Sequence, residues 1–280
     1  MNDELLGIIK AMSGMQNDIS RYDESFLVTS LEKRLAATSC TTLSGYRAYL
    51  SAHDGEAEAL LRSLNITYSG FFRNPLTFAV LEQQVLPRLI EEKVECGTAE
   101  IRVWSAGCAA GQESYSVAIL LDELLAARKI PLTFRIFATD ISDDCLAAAR
   151  RGVFDAAAVQ NVRLKHIHSC FASHNGSYPV AGRLKQRIEF SFHDLLDERS
   201  ASPPGSIYGD FDLVFCCNLL FYYTHEIRQG ILTKLINALS PGGYLVTGEA
   251  ERAIVENTHL VEISPMSAVY RKAKEWKAMV

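Results

Sequence analysis

The chain lacks the features that would confine it to a special class. Its seven cysteines (Cys40, Cys96, Cys108, Cys145, Cys170, Cys216 and Cys217) contain no C-x-x-C pair, so no zinc half-site or thioredoxin-like motif is present. An odd count, with Cys216 and Cys217 adjacent, also argues against a disulfide framework and suits thiols in a reducing compartment. No stretch approaches the ~20 apolar residues of a membrane span. The start, MNDELLGIIKAMSGMQ, carries acids where a signal peptide needs bases. There is no excess of positive charge: 28 Lys and Arg face 33 Asp and Glu, a net −5 that leaves no whole-chain field for phosphates. Repeats, low-complexity tracts and a G-x-G-x-x-G fingerprint are missing too. A cytoplasmic protein with no membrane insertion and no dedicated nucleic-acid role is expected.

What is present is ordinary globular composition, 48% hydrophobic and 22% charged over 280 residues, enough for one large domain with an appendage. Residues 1–90 read as helices only. Phe26, Leu27, Leu31 and Leu35 recur at helical spacing, and Tyr46, Tyr49 and Leu50 mark a second helix. Asp54 is placed as the N-cap of a third, with Ala57, Leu60, Leu61 and Leu64 inward, and Pro75 suits the first turn of a fourth running to about Glu92. Over residues 91–280 the pattern turns to alternating strand and helix. IRVWSA, FRIFATD, RIEFSFHDLL, FDLVFCCN, YLVTGE and SAVYRKA are the strands, and Ser142 and Gly152 bracket one helix. That grammar predicts an α/β fold, a parallel sheet covered on both faces. Residues 154–187, with turn signals NGSY and AGR, read as a small insertion, β in part.

Ligands of open α/β sheets bind at the carboxyl ends of the strands. Four features stand there. The turn WSAGCAAGQES offers Gly107 and a helix start with free N–H groups. Asp140 ends the second strand, 33 residues beyond Gly107 (140 − 107), where a carboxylate can accept both hydroxyls of a ribose. Asn218 ends FDLVFCCN, with Tyr222 close behind, and Asp194 ends another strand. A dinucleotide needs a third glycine near its pyrophosphate, but Gln112 and Glu113 hold that position. Carboxylate there repels phosphate and attracts an ammonium or sulfonium, which favours S-adenosylmethionine.

At these residues a family resemblance emerges. SGFFRNPLTF, IRVWSAGCAAGQESYSVAILL, FATDIS, HDLL, FCCNLLFYY and LSPGGYLVTGEAE resemble segments of the chemotaxis receptor methyltransferases, the CheR type, and the likeness runs over most of the chain. It implies a class I S-adenosylmethionine-dependent methyltransferase: a Rossmann-like doubly wound sheet, a small helical N-terminal domain and a small β insertion. The implied reaction gives glutamyl methyl esters on chemoreceptors and S-adenosylhomocysteine as product. The resemblance places Thr67, Ser69 and Arg73 over the cofactor, Glu113 on its amino-acid end, Asp140 on the ribose, and Asp194 and Leu195 beside the adenine. Arg73 and Tyr222 are the catalytic candidates, with Gly107, Cys217 and Asn218 completing the cofactor set.

The sequence departs from the family where Cys217 replaces the arginine of an Arg-Asn pair and Ser114 replaces a common proline; Lys33 precedes Arg34 where two arginines are usual. The implied partners are the cytoplasmic helices of chemoreceptors, met by Lys33, Arg34, Arg47 and Arg62, and a receptor tail peptide on the insertion. The enzyme is expected to act as a monomer. No metal is expected: His166 and His168 form an H-x-H without a further ligand set, and no nucleophilic role falls to Cys108 or Cys217. A methyltransferase for another acceptor and a non-catalytic cofactor sensor of the same fold stay open as alternatives.

Overall fold

The structure, a computed structural model, describes residues 7–8, 19–64, 69–206, 209–256 and 258–274. The chain divides into two compact units, one of residues 1–66 with 221–229 and one of 67–220 with 230–280.

The first unit is helical. Helices α1 (Glu24–Thr38), α2 (Leu43–Ala52) and α3 (Glu56–Leu64) enclose Leu27, Leu31, Tyr46, Leu60 and Leu64, the residues their periodicity brings to one side. Asp23 caps α1 through the Ser25 N–H (3.0 Å). Helix α3 starts at Glu56, so the residue before it is Gly55 and not the expected cap Asp54. Glu56 is buried among the helices. It is tolerated there because Arg34 grips both its oxygens (3.0 and 2.8 Å) and the Tyr46 hydroxyl donates to it (2.7 Å). These donors hold its carboxyl below the usual range against the opposing effect of burial. Arg34, read from sequence as part of an exposed basic face, is therefore committed inside the bundle.

The second unit begins with a helix in three parts: α4 (Pro75–Val80), a π-helical turn (Leu81–Val85) and α5 (Leu86–Glu95). Pro87 has no N–H to give and crowds the carbonyl one turn back, and the widened turn immediately before it absorbs the defect. Phe78, Leu81, Val85, Leu86, Leu89 and Ile90 all join the core of the sheet unit, so these helices belong to it rather than to the helical front.

The remaining elements are β1 (Glu100–Ala106), α6 (Gln112–Arg128), β2 (Thr133–Asp140), α7 (Asp143–Arg151), β3 (Val153–Asp155), α8 (Leu164–Cys170), β4 (Ser177–Pro179), α9 (Gly182–Lys185), β5 (Ile188–Phe192), β6 (Phe211–Cys216), α10 (His225–Ala238), β7 (Leu239–Thr247), α11 (Arg252–Val255), β8 (Val261–Glu262) and β9 (Val269–Arg271). Seven strands form one sheet in the order β5-β2-β1-β6-β7-β9-β8, parallel except for β9. This is a doubly wound order, with the strand sequence reversing between β1 and β6. Every residue of β6 is buried, as a central parallel strand covered on both faces requires. Strand β7 begins before the expected YLVTGE and runs through Pro241-Gly242-Gly243, with a register shift opposite Phe211.

The insertion holds the antiparallel pair β3–β4 with α8 and α9, so it is helical as well as β. Phe71 plugs into it, its ring edge-on to Phe154 (4.9 Å) and Phe171 (5.5 Å). His166 is buried on α8 and hydrogen-bonds Glu123 (2.7 Å). The cysteines are all free: Cys108, Cys145, Cys170 and Cys216 are buried, Cys40 and Cys217 half-buried, and Cys96 exposed.

Candidate active site

The strand order reverses between β1 and β6, and of the predicted residues Gly107, Glu113, Asp140, Cys217 and Asn218 lie just at or beyond the carboxyl ends of β1, β2 and β6. After β1 the chain turns at Gly107, whose amide and that of Cys108 both bond the Thr139 carbonyl at the end of β2 (2.8 and 2.9 Å). Gly107 has φ +76, and a Cβ there would meet Leu219 at 3.1 Å. Gly111 opens α6 at φ +88, with Ala149 and Phe190 3.0 and 3.2 Å from where a Cβ would stand. Both positions need glycine on conformation and on space.

Glu113 lies in the first turn of α6. It accepts the Ser105 hydroxyl (2.8 Å), and Ser105 in turn receives the Ser114 hydroxyl (3.0 Å). Burial pushes the Glu113 carboxyl up to about 7, against hydrogen bonds from Cys217 and Ser105 and the charge of Arg73. Asp140, at the end of β2, accepts the amides of Ala109 (2.8 Å) and Ser142 (2.9 Å), and burial raises it too. Ser142 does cap α7, through the Cys145 amide (3.3 Å). The Cys217 thiol also faces the Val246 carbonyl (3.7 Å). Burial and the Glu113 carboxylate hold it protonated, which removes the thiolate that a nucleophile needs.

Asn218 has φ +59, and its side-chain Oδ1 is buried without a hydrogen-bond partner among the described residues; Gln112 Oε1 is in the same condition. Beyond β5, the His193 amide bonds the Asp140 carbonyl (3.2 Å), which brings Asp194 and Leu195 alongside Asp140. Asp194 accepts the Leu196 amide (2.8 Å), a local turn, while Leu195 is buried with its carbonyl on Lys234 (2.7 Å).

Before α4, Ser69 is half-buried and Arg73 exposed. The Phe72 amide donates to Ser116 (3.0 Å), whose hydroxyl donates to the Gln112 carbonyl (2.7 Å), so the Arg73 backbone is tied to the start of α6. Thr67 lies outside the described residues. Tyr222 belongs to the helical unit, where its ring lies 4.6 Å from Phe26.

Two residues had no distinct role in the sequence reading. Ile141, an aliphatic side chain 42% exposed immediately after Asp140, could have been found from its place next to the acid. Glu251, fully buried, accepts four backbone amides around Asn218, and nothing in its local sequence reveals that.

The donor set fits S-adenosylmethionine. Two half-buried carboxylates and two amide oxygens unpartnered among the described residues call for a ligand that brings positive charge and hydroxyl or amine donors. A phosphate-bearing cofactor brings the opposite.

The comparisons agree. The family description "CheR methyltransferase, SAM binding domain" matches residues 67–270. Chemotaxis protein methyltransferase 1 of Pseudomonas aeruginosa is 33% identical over 223 residues, 78% of each chain. The chemotaxis protein methyltransferase of Borreliella burgdorferi is 27% identical, covering 96% of this chain and 94% of that one. That of Escherichia coli K12 is 28% identical over 83% and 78%. The chain belongs to the CheR methyltransferases and is an S-adenosylmethionine-dependent enzyme.

Proposed function

We propose that this enzyme methylates glutamate side chains of chemoreceptors, forming glutamyl methyl esters in chemotactic adaptation. The observation that carries the reading is the pair of half-buried carboxylates, Glu113 in the first turn after β1 and Asp140 at the end of β2, both raised by desolvation, with the charge of Arg73 acting on Glu113. The names of the relatives support the acceptor.

Glu113 is assigned to the ammonium of the cofactor, Asp140 to the ribose hydroxyls, and Asp194, Leu195 and Ile141 to the adenine. The unpartnered oxygen of Asn218 is assigned to a donor on the amino-acid end. Ser69 and Thr67 belong to the segment that covers the ligand. When bound, S-adenosylmethionine supplies a sulfonium methyl group to an attacking oxygen.

The residues of the chain do the rest. An acceptor glutamate, with an ordinary pKa of ~4.3, is already ionised at neutral pH, so no side chain has to remove a proton. The protein must align the acceptor and strip it of water. Arg73 suits the alignment, because its guanidinium can hold the carboxylate by one edge and leave an oxygen free.

Lys33, Arg47 and Arg62 are exposed on the helical unit, and we assign them to the acidic faces of receptor helices. Arg34 leaves that set because Glu56 holds it. The insertion is the proposed seat of a receptor tail peptide. Among the described residues no helix is long and apolar enough to cross a membrane.

The test is transfer of radiolabelled methyl groups from S-adenosylmethionine to receptor-containing membranes. Label on the receptor band that mild alkali releases as methanol is the expected result. Alkali-stable label would point to nitrogen or carbon acceptors and defeat the assignment.

A further inference from the structure

We infer that Glu251 is a positioning residue of this active site: its carboxylate sets the turn that presents Asn218 to the cofactor. The inference rests on the proposed function only in taking Asn218 as a cofactor contact.

The last parallel pair of β6 and β7 is Cys216 with Thr247, and beyond it the ladder stops. The amides that follow have lost their ladder partners and lie in the interior, where an unpaired N–H is costly. Glu251 satisfies them. Its Oε1 accepts Leu219 (2.7 Å) and Leu220 (2.6 Å), and its Oε2 accepts Asn218 (2.8 Å) and Gly248 (2.7 Å). A carboxylate has two lone pairs on each oxygen, so the four amides fill its whole accepting capacity. The side chain is 0% exposed.

What the four bonds fix is specific. Three consecutive amides, from Asn218 to Leu220, converge on one group, which forces the chain to curl around it. Asn218 adopts the left-handed conformation at φ +59 to do so. Gly248 completes the seat from the other strand. A Cβ there would lie 2.6 Å from Asn218 Nδ2, 2.9 Å from the Asn218 amide and 2.9 Å from Glu251 Oε2. The Asn218 amide group is thus held closely on one side, with its buried Oδ1 unpartnered among the described residues.

Glutamine at 251 keeps the shape but offers one oxygen and an NH2, so at least two of the four amides would face a donor. Calorimetric binding of S-adenosylhomocysteine to the full chain tests the inference through a double-mutant cycle of Glu251→Gln and Asn218→Ala, with melting temperatures as the fold control. Glu251→Gln is expected to weaken binding about tenfold or more in the wild-type background and less than about threefold when Asn218 is already alanine. A loss confined to stability would carry the same factor in both backgrounds, and that result overturns the inference. So does binding within twofold of wild type. If Glu251→Gln fails to fold, Glu251→Asp, which keeps the charge but withdraws the carboxylate by one methylene, is read in the same cycle against the same thresholds. Failure of the wild-type chain to bind S-adenosylhomocysteine would instead strike the cofactor assignment itself.

Discussion

Replacing Arg73 with alanine is expected to lower kcat/KM for receptor methylation by about 10²–10³-fold, the usual cost of a preorganised charged donor at a reacting centre. The expectation rests on how the arginine is held. Phe71 is buried in a cage of Phe154 and Phe171, and Phe72 adopts φ +50 with its amide on Ser116. Phe72 also stacks on His166 (5.8 Å) and lies edge-on to Phe78 (5.2 Å). A left-handed phenylalanine persists only where its surroundings enforce it. The two rings and one hydroxyl therefore aim the next residue, Arg73, which keeps an exposed guanidinium whose charge reaches Glu113. Lysine at this position retains the charge and loses the planar fork, so Arg73→Lys should fall between wild type and alanine. Lys33→Ala, on the exposed face of α1, should change turnover less than about threefold, in line with the small contribution of one solvated charge. Steady-state methylation assays decide it: equal losses for Arg73→Ala and Lys33→Ala would take Arg73 out of the site.

The second large effect concerns Glu113. Its carboxyl titrates near 7 because burial outweighs the hydrogen bonds and the positive charge that favour its ionised form. An ammonium binds the carboxylate, not the acid. Affinity for S-adenosylhomocysteine should accordingly rise by up to tenfold per pH unit between about 5.5 and 7 and then level off. Below 7, binding should release close to one proton.

For the ligand-free protein the sign reverses. The native state holds this proton more tightly than the unfolded chain, so Glu113 contributes favourably at low pH. That contribution fades as pH rises from the ordinary glutamate range to about 7. Glu113→Gln should remove the steep pH dependence and weaken binding at pH 7.5 by about 10–100-fold, the worth of a charge-assisted hydrogen bond. Calorimetry in buffers of different ionisation enthalpy measures both quantities. A glutamine variant with the same pH profile as wild type would show that another group carries the titration; Asp140 and Glu251, both raised by burial, are the first to examine.

The legible part of the fold was the part set by local pattern. IRVWSA, FRIFATD and FDLVFCCN read as strands because a sheet covered on both faces demands unbroken apolar runs, and the polar residue ending each run then had to face the ligand edge. Asp140 is a candidate on that logic, whereas Glu113 stands in the turn after the first strand and its place on the amino-acid end is what the family resemblance implies. The illegible part was tertiary. Glu251 sits in GEAER, whose likeness to the family says nothing of what its carboxylate binds; only the end of the β6–β7 ladder turns it into an amide receptor. Arg34 looked like one more surface base until α3 brought Glu56 against it. The helices over 75–95 carry the same helical period as the front helices. Periodicity cannot say that their apolar side packs on the sheet, which is why the compact unit starts at 67 and not near 90. The αL turn at Asn218 was hidden as well, since asparagine at a strand end is compatible with many turns.

The most direct test of the account is a crystal structure of the full chain with S-adenosylhomocysteine. It should show both ribose hydroxyls within hydrogen-bond distance of Asp140 and the ammonium on Glu113, with the adenine between Ile141 and Leu195. A nucleoside bound elsewhere, or seated at these strand ends without touching either carboxylate, would contradict it.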